Sequence, residues 1–251
     1  MSKIDKSKVC FITAAIQKNY VDQFNNKVNN LPKEFDFNFY VLTDLPQDIT
    51  TSYPKLTVLN FYDIKKRTPE TDKYETVDGS TALTSYPNNT RRHIIKRALD
   101  DGFKYIIWND NDVSFNKPID ELLLYMEKFK INSIYTQNSI YRNKENSDGT
   151  TPKPFDNCDK VINHFNFDID KKDLKIHDGP TCIYYLDTKV SSKFIKTWDK
   201  VTEYAYQNPY AHKGGHERPS VEVYAIAVAQ LNIDHITKQL FRVDHDFSIK
   251  Y

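Results

Sequence analysis

Glycine is scarce in this chain, with six among 251 residues. They form no glycine-rich phosphate loop, which removes a nucleotidyltransferase that would need one to cradle phosphates. Cysteine is rarer still. Cys10, Cys158 and Cys182 are odd in number and far apart, so they offer neither a disulfide framework nor zinc-ligand spacing. They read as reduced thiols, two of them inside apolar runs where cysteine behaves as a small hydrophobe. An excess of charge is missing too: 35 Lys and Arg stand against 34 Asp and Glu. A net charge of +1 gives no whole-molecule field to draw in nucleic acid or an anionic membrane. The basic run Lys65, Lys66 and Arg67 reads as a solvated loop, with a local phosphate patch as the alternative. No apolar run is long enough to span a bilayer, and Met1 to Lys8 is charged with no secretion-signal core. The expectation is a cytoplasmic protein without a membrane span, in the host cytoplasm if the source is viral.

What is present describes a folded domain. Hydrophobic residues make up 39% and charged residues 27%, too apolar for a disordered chain, and the length suits one α/β unit. The abundance of Lys, Asn, Asp, Ile and Tyr fits an AT-rich genome such as that of a phage, a virus or a low-GC bacterium. Val9 to Ala15 (VCFITAA) is a short continuous apolar run, the pattern of a strand buried on both faces. Tyr20 to Asn30 reads as an amphipathic helix stopped by Pro32, Phe37 to Thr43 as a second strand ending at Asp44, and Leu56 to Phe61 as a third. A polar loop follows from Asp63 to Asn89. Thr90 caps a predicted helix from Arg91 to Asp100, with Gly102 as its terminator. Tyr105 to Trp108 (YIIW) is the next strand, Ile119 to Phe129 a helix with Pro118 at its start, and Ile134 to Thr136 a short strand. Asn138 to Lys175 is polar and irregular, which predicts an acceptor-facing insertion. Gly179 to Leu186 reads as a strand, and Thr188 to Tyr206 as a long helix with Phe194, Ile195, Trp198 and Val201 on one face. Alternating strands and helices predict a mostly parallel central sheet flanked by helices, with ligands at the carboxyl ends of its strands.

One segment carries chemistry. The strand YIIW runs directly into Asn109, Asp110, Asn111 and Asp112. Two carboxylates two residues apart at a strand end can converge on a hard divalent cation, Mn²⁺ or Mg²⁺, that bridges the phosphates of a nucleotide-sugar. The same four residues are also ordinary turn formers. The surrounding text, RRHIIKRALDDGFKYIIWNDND from Arg91 to Asp112, resembles the GT-A glycosyltransferase superfamily: a basic helix, a strand, then Asp-x-Asp. VCFITAAI followed by FNFYVLTD looks like that superfamily's nucleotide-binding start.

The resemblance implies a single GT-A-like, Rossmann-like domain over residues 1–251, its nucleotide-binding half at about 8–115 and its acceptor-binding half at about 116–251. It implies a retaining transferase, through partial likeness to the blood-group and α-1,3-galactosyltransferase-like enzymes and to the glycogenin-like enzymes. Asp110 and Asp112 would hold the metal, and Thr13, Ala14, Ala15, Asp44, Arg91, Arg92 and Asn111 the donor, probed as a UDP-sugar. HKGGHERP resembles a His-x-x-Gly-x-x-Lys-Pro pattern with Arg218 for lysine, which makes His212 one candidate third ligand; His245 in the closing RVDHDF is the other and the better by position. Glu217 or Asp178 would serve as the carboxylate beside the sugar. The acceptor is a hydroxyl compound, a glycan or, for a phage protein, a hydroxymethylated DNA base, although near-neutral charge weighs against DNA. Two rival readings stand beside this one. Tyr105 to Val113 also fits a haloacid-dehalogenase-type phosphohydrolase with Asp110 as nucleophile, although that motif normally opens its domain. The other is an inactive sugar- or nucleotide-binding module.

Overall fold

The computed structural model describes residues 4–64, 91–109, 111, 119–129, 133–135, 140–142, 163–166, 175–177, 181–185 and 194–200. Strand β1 (Val9–Ala15) forms where the apolar run predicts it, and all of its side chains are buried except the half-buried Ala14. Helix α1 (Lys18–Asn29) follows and buries Val21, Phe24 and Val28. Spacings of three and four put these on one stripe, which is what docks the helix on the sheet. Strand β2 (Asn38–Thr43) and strand β3 (Leu56–Asn60) come next. Phe61, expected to close β3, instead opens the short helix α2 (Phe61–Ile64), so Asp63 is helical rather than in a loop. A buried Phe serves either element equally well, and its identity does not mark the boundary.

Helix α3 (Arg91–Asp100), strand β4 (Tyr105–Asn109) and helix α4 (Ile119–Phe129) agree with their predicted spans, β4 gaining Asn109. Strand β5 (Ser133–Tyr135) begins one residue earlier than expected. The region from Asn138 to Lys175, expected to be irregular, contains β6 (Ile140–Arg142), paired antiparallel with β7 (Lys175–His177) as a separate two-stranded sheet. Three-residue strands carry too few alternations to show a period in sequence. Strand β8 (Thr181–Tyr185) completes the main sheet, and residues 194–200 are helical with Phe194, Ile195 and Trp198 buried.

The main sheet has the order β3-β2-β1-β4-β8-β5. Its first four strands are all parallel, and β8 is antiparallel to both β4 and β5. Helices flank it. On one face α1 and α4 share a core with Val9, Phe11, Phe39, Val41, Tyr105 and Ile107. On the other, α3 buries Ile94, Ile95 and Ala98 and packs on β1, β2 and β4. The Phe11 ring sits at the centre of the first layer, 5.1 Å from Phe35, 5.4 Å from Phe37 and 6.0 Å from Phe39. Helix α4 is tied to the start of β4 at its far end, where Glu127 accepts from Lys104 Nζ at 2.7 Å and from the Tyr105 hydroxyl at 2.9 Å. Its first turn therefore lies toward the carboxyl edge of the sheet.

At the amino edge, α3 stops in a Schellman turn. The Phe103 N–H donates to Ala98 O and the Gly102 N–H to Leu99 O, with Gly102 at φ 89°, the arrangement that satisfies the last helix carbonyls. Beside it Asp101 accepts from Arg97 Nε at 2.8 Å and from the Tyr40 hydroxyl at 2.7 Å, joining α3 to β2. The Arg97 bond is the chief reason that the Asp101 carboxyl is held below its usual range; burial opposes it and the Tyr40 bond assists.

Two expectations follow from this edge. A Cβ added at Gly102 meets nothing within 4 Å, so Gly102→Ala isolates the backbone term. It should lower stability by about 1–2 kcal/mol, and Tm by roughly 2–8 °C, with Gly102→Asn milder because Asn tolerates the left-handed region; thermal unfolding reads both. Because the folded-state pKa of Asp101 is depressed, its contribution is complete above the ordinary carboxylate value of about 4 and disappears as pH falls through the lower folded value. Urea unfolding of the wild type and Asp101→Asn should show a stability gap at pH 7 that closes toward pH 2–3.

Candidate functional site

The strand order locates the crevice. From β1 the chain steps to β2 and on to β3, then crosses back over β1 to enter β4. The direction of winding therefore reverses between β1 and β4, and open parallel sheets bind ligands outside the carboxyl ends of the strands at such a reversal. Five segments meet this edge: Ala15 to Gln17 leading into α1, Asp44 after β2, Asn109 at the end of β4 with Asn111 beyond it, and the first turns of α3 and α4.

Across the reversal, one side chain joins the two strands. Backbone pairing between β1 and β4 runs from Val9–Tyr105 to Ile12–Trp108 and stops there. Beyond it, Asn111 turns its amide onto β1: Nδ2 donates to Ala14 O at 3.2 Å, and Oδ1 accepts from Thr13 Oγ1 at 3.2 Å. The side chain continues by two hydrogen bonds a ladder that the backbone has left. Thr13 is fully buried, so its hydroxyl needs such an acceptor to avoid the penalty of a buried unpaired polar group. Of the predicted donor-binding residues on β1, Thr13 and Ala15 have no exposed surface, and Ala14 keeps some. Asn111, predicted to bind donor, commits both ends of its amide to β1.

The neighbouring loop is strained. Gln17, the residue before α1, has φ 74° and ψ 155°, a region that glycine occupies almost alone. Its N–H donates to Asp44 Oδ1 at 2.9 Å, so Asp44, predicted to bind donor, uses one carboxylate oxygen to hold this backbone. Gln17 makes no side-chain cap for α1. Asp44 is itself set by the turn after β2, where the buried Thr43 hydroxyl accepts the Leu45 N–H at 3.1 Å.

Two oxygens at the same edge are unfinished. Asn109, 1% exposed and the last residue of β4, has no hydrogen-bond partner for Oδ1 among the described residues, and neither has Asp120 Oδ1 in the first turn of α4. Buried acceptors without partners are few in folded proteins. By strand alternation Asn109 lies on the face of Tyr105 and Ile107, the face that α4 covers. Sequence reasoning singled out neither residue, nor Gln17. An Asn closing an otherwise apolar strand was the available signal for Asn109. Nothing in Ile16-Gln17-Lys18 announces a positive φ.

Arg91 and Arg92 open α3. Since α3 ends at the amino edge, its first turn belongs to the carboxyl edge, the end where both arginines were expected to work. The remaining predicted residues, Asp110, Asp112, Asp178, His212, Glu217 and His245, lie outside the described residues. Among the described residues, no three His, Cys, Asp or Glu side chains gather as a metal site, and no helix is long and apolar enough to cross a membrane. No protein-family model matches the chain, and a search of curated proteins finds no match.

The strained loop makes a stability prediction. Gln17→Gly removes a cost of about 1–3 kcal/mol and adds about 0.5–1 kcal/mol of backbone entropy, so it should unfold at higher urea concentration than Gln17→Ala, which keeps a Cβ. A glycine variant no more stable than the alanine variant would contradict the strain.

Proposed function

We propose that this chain is a metal-dependent glycosyltransferase of the GT-A type, which transfers a sugar with retention from a UDP-linked donor to a hydroxyl acceptor, a glycan in the first instance. The observation that carries the reading is the Asn111 bridge: the middle residue of Asp110-Asn111-Asp112 is bonded to β1 at the reversal of the parallel sheet, where such sheets take ligands. An Asp-x-Asp in a surface turn elsewhere has no reason to be anchored there.

The residues suit a hard divalent cation, Mn²⁺ or Mg²⁺. Asp110 and Asp112 offer carboxylate oxygens, the ligand type that such ions take. Immediately before them, Asn109 Oδ1 is a buried acceptor without a partner among the described residues, an oxygen of the type that such a cation or its waters suit. His245, or alternatively His212, is the third protein ligand in this reading. When bound, the cation supplies neutralising charge for the departing diphosphate.

The chain's own groups do the rest. Arg91 and Arg92, on the first turn of α3, bind diphosphate oxygens, which guanidinium forks match in shape. Asp110 and Asp112 would hold the cation. Glu217 or Asp178 is the carboxylate beside the sugar, facing the anomeric carbon or accepting the acceptor's proton.

Ligand-dependent melting tests the proposal. UDP at about 100 times its Kd with Mn²⁺ should add about 2.7 kcal/mol to folding, a Tm rise of roughly 5–11 °C. The rise should need the metal and exceed that with the other nucleoside diphosphates. Asp112→Ala should lose both this shift and UDP-sugar turnover while keeping the wild-type Tm without ligand. Equal shifts with and without Mn²⁺, or unchanged turnover in Asp112→Ala, would refute it.

A further inference from the structure

We infer that Asn111 is a positioning residue for the acidic pair, and that the buried Thr13 hydroxyl acts on metal affinity through it. The inference rests on the proposed metal-dependent function and names the device that sets up its metal site.

Asn111 lies two residues beyond the end of β4, past the last backbone pair that joins β1 to β4. Its amide is nevertheless fixed at both ends, by Thr13 Oγ1 and Ala14 O, each at 3.2 Å and nearly a hundred residues away in sequence. A planar amide held through both its oxygen and its nitrogen cannot rotate without breaking one bond. Asp110 and Asp112 are the covalent neighbours of Asn111 in the chain, so the inferred effect of the anchor passes to both through one peptide bond each. Two carboxylates that must converge on one ion lose less freedom on binding when their connecting residue is already immobile.

The anchor is chosen for rigidity. β1 is bonded to β2 along one edge and to β4 along the other, and Thr13 has no exposed surface. Among the described residues, the Thr13 hydroxyl has one side-chain partner, Asn111. Hydrogen-bonding groups that orient metal ligands without touching the metal typically change its affinity 10- to 100-fold when removed. Threonine matters here for its hydroxyl alone; valine matches its volume and cannot donate.

The experiment measures Mn²⁺ binding by the electron paramagnetic resonance signal of free Mn²⁺, with and without UDP, at a temperature where every variant is folded by circular dichroism. The wild type binds; Thr13→Val and Asn111→Ala bind about 10-fold more weakly; Thr13→Ser, which restores the hydroxyl, returns to near the wild-type affinity. The double variant Thr13→Val/Asn111→Ala is no weaker than Asn111→Ala, since both changes break one bridge. A purely structural role lowers Tm and leaves the affinity of the folded protein unchanged, and that result overturns the inference. Should Thr13→Val fail to fold, the half-buried Asn111→Ala carries the same test. If the wild type itself binds no Mn²⁺ in either condition, the proposed function fails and the inference falls with it, whereas tight wild-type binding unaffected by the variants removes the inference alone.

Discussion

Strand β1 has both faces buried and both edges bonded, and the remaining elements are arranged around that confinement. A strand covered on both faces must be apolar almost throughout, which is why VCFITAA admits one polar side chain, Thr13. It must also be paired on both sides while its neighbours run parallel to it, so the chain has to return by crossovers and reverse its winding beside it. The crevice follows from this topology before any functional residue is considered. The single hydroxyl admitted to the strand is placed at the crevice end, bonded to the residue between two aspartates.

The two edges of the sheet are built differently. At the amino edge the polar groups are matched: Asp101 receives Arg97 and Tyr40, Gly102 completes the Schellman turn, and Glu127 receives Lys104 and Tyr105. At the carboxyl edge the loop into α1 carries a strained Gln17, and Asn109 and Asp120 each leave a buried oxygen without a partner among the described residues. Local sequence preferences and global fold usually agree, and places where they disagree concentrate where a protein does its chemistry. That asymmetry favours the carboxyl edge as the working end independently of the Asp-x-Asp spacing.

Charge supports the same division. With 35 basic and 34 acidic residues, the net charge gives no whole-molecule field, so the proposed anionic donor would have to be recognised locally. In that proposal the arginines opening α3 and a cation on the acidic pair would be local devices of that kind. The bridge between Asn111 and Thr13 joins two neutral side chains, so the effect inferred for it is on geometry rather than on potential.

Much of the parallel sheet was legible because buried strands and amphipathic helices write their periods into short stretches of chain: β1, α3 and α4 occupy the predicted spans, and Gly102 ends α3 where glycine alone is unstrained. Boundaries set by backbone conformation were less so, as Phe61 shows by being buried in a helix rather than in β3. The reversed direction of β8, the pairing of β6 with β7, the strain at Gln17, and the commitment of Asp44 and Asn111 to the backbone of other segments had no local signature. By itself the sequence determined the longer strands and helices of the main sheet and where two carboxylates follow a buried strand, since those properties depend on neighbours along the chain. Only the tertiary structure decided what Thr13, Asp44 and Asn111 bond to, because each partner is contributed by a segment distant in sequence that folding alone brings within hydrogen-bond reach.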